Sequence, residues 1–144
     1  MTTPTTILTP DGFIPHRHEI QDAALVLVKR CHGGALAAGW HNDSLTGQRR
    51  TPQQNHALFP VRLMLIVSEL AEAMEGHRKS LIDDHLPHRD MAEVELADAV
   101  IRIFDLAGEM NYDIGGAIAE KLTYNAHRAD HKPQARAAPG GKAY

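Results

Sequence analysis

Apolar residues recur along this chain at spacings of three and four, and nowhere alternate over the length of a strand. From about His18 to Ala38, the residues Ile20, Ala24, Leu27, Val28 and Cys31 set a helical period, with Gly33-Gly34 a point of weakness. Residues 39–56, "GWHNDSLTGQRRTPQQNH", are polar and loop-like. A second helix is expected from about Leu58 to Lys79, Pro60 being tolerated in its first turn. Val61, Met64, Leu65, Val67, Leu70, Ala71 and Met74 are its expected core residues. Residues 80–90 connect it to a third helix, about Met91–Met110, with Asp90 as the expected cap. "NYDIGG" breaks that helix, and Asp113 is placed to cap a fourth, running to about Ala126. The expected fold is all-α, a bundle of about four helices. A Pro- and Thr-rich arm (1–17) precedes the helical domain (18–127), and a basic tail with Gly and Pro (128–144) follows it.

The third helix carries an anomaly. Val94, Leu96, Ala97, Val100, Ile101, Ile103, Phe104, Leu106 and Ala107 leave it no broad polar face. Yet Glu95, Asp98, Arg102 and Asp105 fall within a stripe roughly 80° wide. One small monomer cannot cover so much apolar circumference, so an oligomer is expected. The second helix repeats the pattern with Glu69 and Glu72, and has Arg62 and Lys79 on roughly the same side. Acidic pairs three apart also occur at Glu19/Asp22, Glu72/Glu75 and Asp90/Glu93, and read as solvated faces. What sets Glu69/Glu72 and Glu95/Asp98 apart is their place on core-forming helices. Carboxylates brought together there repel unless protonated, paired with Arg62 and Arg102, or neutralised by a cation. On an exposed groove the same residues would form ordinary ion pairs.

Composition narrows the chemistry. A formal charge of −3 gives no reason to expect binding to long nucleic acid. The single cysteine excludes an internal disulfide and Cys-rich zinc modules, which points to a cytoplasmic protein. The first residues lack the pattern of a signal peptide, and no apolar run is long enough for a membrane span. For the acidic stripe, an all-oxygen donor set favours Mg²⁺ or Mn²⁺ over zinc. No Glu-x-x-His occurs, which disfavours a ferritin-like di-iron site. His16/His18, His85/His88 and His127/His131 lie in loop or terminal sequence without an obvious third ligand, and read as surface histidines.

Hard cations held by carboxylates commonly serve phosphate chemistry. Lys121, Asn125 and Arg128 share one face of the fourth helix, with Tyr124 adjacent, and offer donors suited to phosphate oxygens. The same residues also suit a basic helix C-terminus that complements its dipole. Lys132, Arg136 and Lys142 extend the basic character into the tail.

"SELAEAMEGHRK" followed by "EVELADAVIRIFDLAG" resembles the MazG-like, all-α nucleoside triphosphate pyrophosphohydrolase superfamily, whose signature is Glu-x-x-Glu, a spacer, then Glu-x-x-Asp. "EKLTYNAHRADHKP…GGKAY" is similar to the family's Lys-x-x-x-Asn-x-x-Arg segment and glycine-containing end. The resemblance implies a Mg²⁺-dependent enzyme, with Mn²⁺ as possible substitute, that cleaves (d)NTP between the α- and β-phosphates. It implies that Glu69, Glu72, Glu95 and Asp98 hold the metal and that Glu72 orients or deprotonates the attacking water. It implies phosphate or sugar contacts from Lys121, Asn125 and Arg128, with Tyr124 beside them and Arg78 or Lys79 as an addition. Trp40, the only tryptophan, would stack on the base or else anchor the polar loop. A helical homodimer or homotetramer is implied. A specialised dUTP/dCTP or phosphoribosyl-ATP pyrophosphatase shares the motif, and a catalytically silent nucleotide-binding regulator is the alternative of another class. In the third helix, Arg102 and Asp105 continue the stripe past the motif and are expected to pair with each other.

Overall fold

A computed structural model describes residues 17–128 and 137–140. The arm, and the tail residues Lys132, Arg136 and Lys142, lie outside the described residues, as do His16 and His131. Five helices and no strand occur among the described residues: α1 (Arg17–Ala37), α2 (Pro52–Ala57), α3 (Phe59–Lys79), α4 (Met91–Glu109) and α5 (Ile114–His127). The all-α expectation therefore holds, with one short helix more than the pattern indicated. None of these helices is long and apolar enough to cross a membrane.

The described residues divide into two compact units, Ala24–Asp113 and the segment 17–23 with the residues described from Ile114 onward. In the second of these, Arg17 at the start of α1 pairs with Glu120 of α5 at 2.9 Å, and α5 buries Gly115, Gly116 and Ala119.

The larger unit is built on α3 and α4. Gly76, near the end of α3, faces Met91 at the start of α4, whereas Phe59 at the start of α3 packs on the cluster of Ile66, Ala99 and Leu106 together with Met110. The pair is therefore antiparallel. Small residues set its closeness: a Cβ on Gly76 would meet Met91 at 3.0 Å, and Ala73, Ala99 and Ala107 are buried. Within the single chain the buried face of α3 is therefore not the expected one. Val61, Met64, Leu65, Val67, Leu70, Ala71 and Met74 are exposed, and the buried residues are Ile66, Glu69, Ala73 and Gly76. Close backbone approach favours the face with least bulk, and Glu69 lies on that face.

The connections are capped by side chains. Thr51 closes a capping box on α2: its hydroxyl accepts from Gln54 N at 3.3 Å, and Gln54 Oε1 accepts from Thr51 N at 2.8 Å. α1 runs through Gly33-Gly34 without a break. α3 ends at Ser80, held in the left-handed region (φ 52°) with its N–H on Gly76 O and His77 O. In the α3–α4 connection the buried Asp83 carboxylate accepts from the backbone N–H groups of His85 (2.9 Å) and Leu86 (2.6 Å). Asp90 occupies the N-cap position of α4 in extended backbone, but its side chain makes no cap hydrogen bond there. Asn111 turns left-handed (φ 53°) and separates α4 from α5.

Candidate functional site

Antiparallel packing brings the two acidic pairs side by side. Glu69 from α3 and Glu95 and Asp98 from α4 each offer an oxygen, and these atoms all lie within 4.8 Å of one another. Glu69 is buried, and its Oε1 accepts a 2.6 Å hydrogen bond from Arg102 Nε. Desolvation, a side-chain hydrogen bond with Glu69 and the charges of Glu72, Glu69 and Asp98 push the Glu95 carboxyl up from 4.5 to about 7. Repulsion among these acids is thus relieved partly by Arg102 and partly by a retained proton. Glu72 is exposed and is not one of the three converging acids, although its charge reaches Glu95. The donor chemistry fits a hard divalent ion: several carboxylate oxygens, one already disposed to share a cation.

A pH dependence follows. Glu95 binds its proton more tightly in the folded chain, so its contribution to stability is present below pH 4.5 and lost as pH rises through about 7. The carboxylates of Asp43 and Glu75 are held below their ordinary values by hydrogen bonds, chiefly from backbone Thr46 and from Lys79 respectively. Their contributions run the other way, at lower pH. In EDTA, Tm should fall between pH 5 and 7.5, and excess Mg²⁺ should remove most of that fall; a Tm flat in EDTA across this window would refute the crowding of acids.

Two turns along α4 a second cluster forms around Asp105. Its Oδ1 lies 2.8 Å from His32 Nδ1 on α1 and 2.7 Å from His41 Nε2 in the following loop. His41 is 1% exposed, and its Nδ1 is 2.9 Å from Glu109 Oε2 and 3.0 Å from Arg62 Nη2. Glu109 is also gripped by Arg49 at 2.7 Å, and Arg62 by Asn55 Oδ1 at 3.1 Å, with Arg62 Nη1 buried and unpartnered. Asp105 therefore pairs with histidines, not with Arg102 as the stripe suggested, and Arg62 serves this cluster and not the acidic one. Neither His32 nor His41 stood out in the sequence. The available signal was the stripe itself, which continues from Asp98 and Arg102 through Asp105 to Glu109.

A cavity of about 810 Å³ is lined by members of both clusters, Asp98 and Arg102 from the first and His41, Arg62 and Asp105 from the second. Arg30, Arg50 and Trp40 lie on its wall, against apolar Leu58, Val61, Leu65 and Ile101. Its size suits a nucleotide-sized ligand. Trp40 is 75% exposed, an indole face available to a planar group and not a buried loop anchor. Cys31 also lines the cavity, but burial and the charge of Asp105 push its thiol up, which argues against a thiolate nucleophile.

Lys79 and Arg78 close on Glu75 at the end of α3 and do not line the cavity; the Arg78 bridge is 2.8 Å. Lys121, Tyr124, Asn125 and Arg128 group together in the smaller unit. Lys121 Nζ lies 4.7 Å and Arg128 Cζ 5.8 Å from the Tyr124 ring centre, and Asn125 Oδ1 is buried without a partner. Cations not anticipated as ligand contacts, Arg30, Arg50, Arg62 and Arg102, are the ones on the cavity wall. Among known proteins, no family model matches the chain, and no curated protein or solved structure matches it.

Proposed function

We propose that this protein is a Mg²⁺-dependent nucleoside triphosphate pyrophosphohydrolase, releasing a (d)NMP and pyrophosphate in nucleotide-pool control or house-cleaning. The observation that carries this reading is the convergence of Glu69, Glu95 and Asp98, the last of which lines a cavity that also presents Arg30, Arg50, Arg62, Arg102 and Trp40. Acids that crowd until one retains a proton are poor as a structural core and suited to a cation. Glu69, Glu95 and Asp98 would hold Mg²⁺, or Mn²⁺ in its place, with Glu72 beside them. The bound ion supplies charge neutralisation for phosphate oxygens and a lowered pKa for water. Glu72, exposed and outside the converging trio, is the carboxylate left to orient or deprotonate the attacking water. The cavity arginines grip phosphate oxygens, and Trp40 stacks on the base. Lys121, Asn125 and Arg128 belong to this reading as the phosphate contacts that the MazG-like resemblance implies.

The MazG-like bundle and its assembly are part of the same proposal. Met64, Val67, Leu70 and Met74 on α3 and Leu96, Val100 and Ile103 on α4 are exposed in the single chain. A homodimer or homotetramer, acting in the cytoplasm, would bury them.

The direct test is pyrophosphate release from a panel of NTPs and dNTPs with Mg²⁺, with Mn²⁺ and with EDTA. Metal-dependent release from part of the panel is expected. Preference for dUTP, dCTP or phosphoribosyl-ATP would identify a specialised member. Nucleotide binding without product would replace the enzyme with a silent regulator.

A further inference from the structure

We infer that His32, His41 and Asp105 form a second cation site, distinct from the carboxylate trio, that takes a borderline transition metal such as Zn²⁺ or Co²⁺. One ligand atom from each of the three residues lies within 4.8 Å of the others. The two histidine nitrogens already stand 2.8 and 2.7 Å from one carboxylate oxygen, so a small outward shift makes room for an ion between them. Two imidazoles and one carboxylate are a recurrent three-ligand set for such metals, with the remaining position open to water or ligand. His41 and Asp105 both line the cavity.

The surroundings supply what a metal-binding histidine needs behind it. His41 Nδ1 is 2.9 Å from Glu109 Oε2, and Arg49 holds that carboxylate at 2.7 Å. With Nδ1–H donated to Glu109, Nε2 is left unprotonated and faces Asp105, the tautomer that binds metal. Arg62 then gives up its approach to Nδ1 and keeps its hydrogen bond to Asn55.

Charge decides which metal. Arg49 pairs with Glu109, and Arg62 stands close enough to feel the charges of Asp105 and Glu109, so little net negative field remains to draw in a hard ion. The remaining attraction is imidazole nitrogen, which Zn²⁺ and Co²⁺ favour and Mg²⁺ does not. Asp98 and Asp105 are seven residues apart on α4, roughly 10 Å along its axis, too far for the two clusters to share one ion. The chain thus sorts cations by donor type, with oxygen-binding ions at Glu69, Glu95 and Asp98 and nitrogen-binding ions at the histidine pair.

The test is Co²⁺ titration of the full chain, read by visible absorption, in wild type and in Glu95→Gln. One nitrogen-ligated Co²⁺ per chain is expected in both, displaced by Zn²⁺ and not by excess Mg²⁺. Loss of a residue that only orients a ligand costs about 10–100-fold in metal affinity, so Glu109→Gln should weaken binding by about that factor and His32→Gln by at least about 100-fold. Asp105→Asn, which keeps the side-chain shape, provides a second ligand variant should His32→Gln fail to fold. Absence of a Co²⁺ site in wild type overturns the inference. So does a site unaffected by the folded ligand variant, because binding would then belong to other histidines. No readout depends on turnover.

Discussion

Glu95→Gln is expected to reduce the proposed pyrophosphate release by about 10³-fold or more and, in EDTA near pH 8, to raise the melting temperature. The two effects have one cause. A cation held by carboxylates supplies several kcal/mol of charge stabilisation, and each 1.4 kcal/mol is a factor of ten in rate. Without the cation, the same carboxylates repel: Glu95 retains its proton to about pH 7 because Glu69, Glu72 and Asp98 surround it and burial disfavours its charge. Above that pH the wild-type side chain ionises at a cost to the fold, whereas glutamine stays neutral and can donate a hydrogen bond to Glu69. The gain should therefore grow from pH 5 to pH 8 and vanish below about pH 4.5. Paired thermal melts in EDTA and with Mg²⁺ separate the effects, because Mg²⁺ should stabilise wild type more than the variant. Full activity in Glu95→Gln would remove this residue from the metal site. A lower Tm in EDTA at pH 8 would mean that the charged cluster is a stabilising network and not a site awaiting a cation.

Helix existence and the meeting of Glu69 with Glu95 and Asp98 were legible from short-range spacing, although Glu72, expected with them, lies outside the converging group. Glu95 and Asp98, three apart on a strongly apolar helix, share a face by helical geometry, and an eleven-residue connection returns α3 alongside them. The buried face of α3 was not legible. Counting large apolar residues pointed to Val61, Met64 and Leu70, but close packing is set by where bulk is absent, at Ala73 and Gly76. The helix Pro52–Ala57 was hidden because its capping box lies in a polar stretch with no hydrophobic period to betray it. His41 looked like one more loop histidine among ten. Its burial comes from Asp105 and Glu109, 64 and 68 positions away, and such pairing leaves no trace in local pattern. Arg62 and Arg102 were read only as partners of the acids and Arg30 and Arg50 not at all, for the same reason: the four come from α3, α4, α1 and a loop.

Gly108→Ala is expected to destabilise the chain, although alanine is the better helix former by about 1 kcal/mol. A Cβ on Gly108 would lie 2.6 Å from both Cβ and Cγ of His32. The His32 Cβ is fixed to the α1 backbone, so no rotamer relieves the clash and α1 must move away from α4. Overpacking of this kind costs about 1–3 kcal/mol, which outweighs the propensity gain. The displacement also strains the 2.8 Å contact between His32 Nδ1 and Asp105, so the histidine cluster should loosen along with the helix seam. Gly33→Ala supplies the opposite sign on α1 itself. Nothing lies within 4 Å of a Cβ built there, so only the helix gain remains, and stability should rise by up to about 1 kcal/mol. Urea unfolding of the two variants beside wild type measures both. Midpoints that move in opposite directions place His32 against Gly108 in solution. If Gly108→Ala is as stable as Gly33→Ala, α1 does not seat on α4 at that point, and the geometry around Asp105 loses its support.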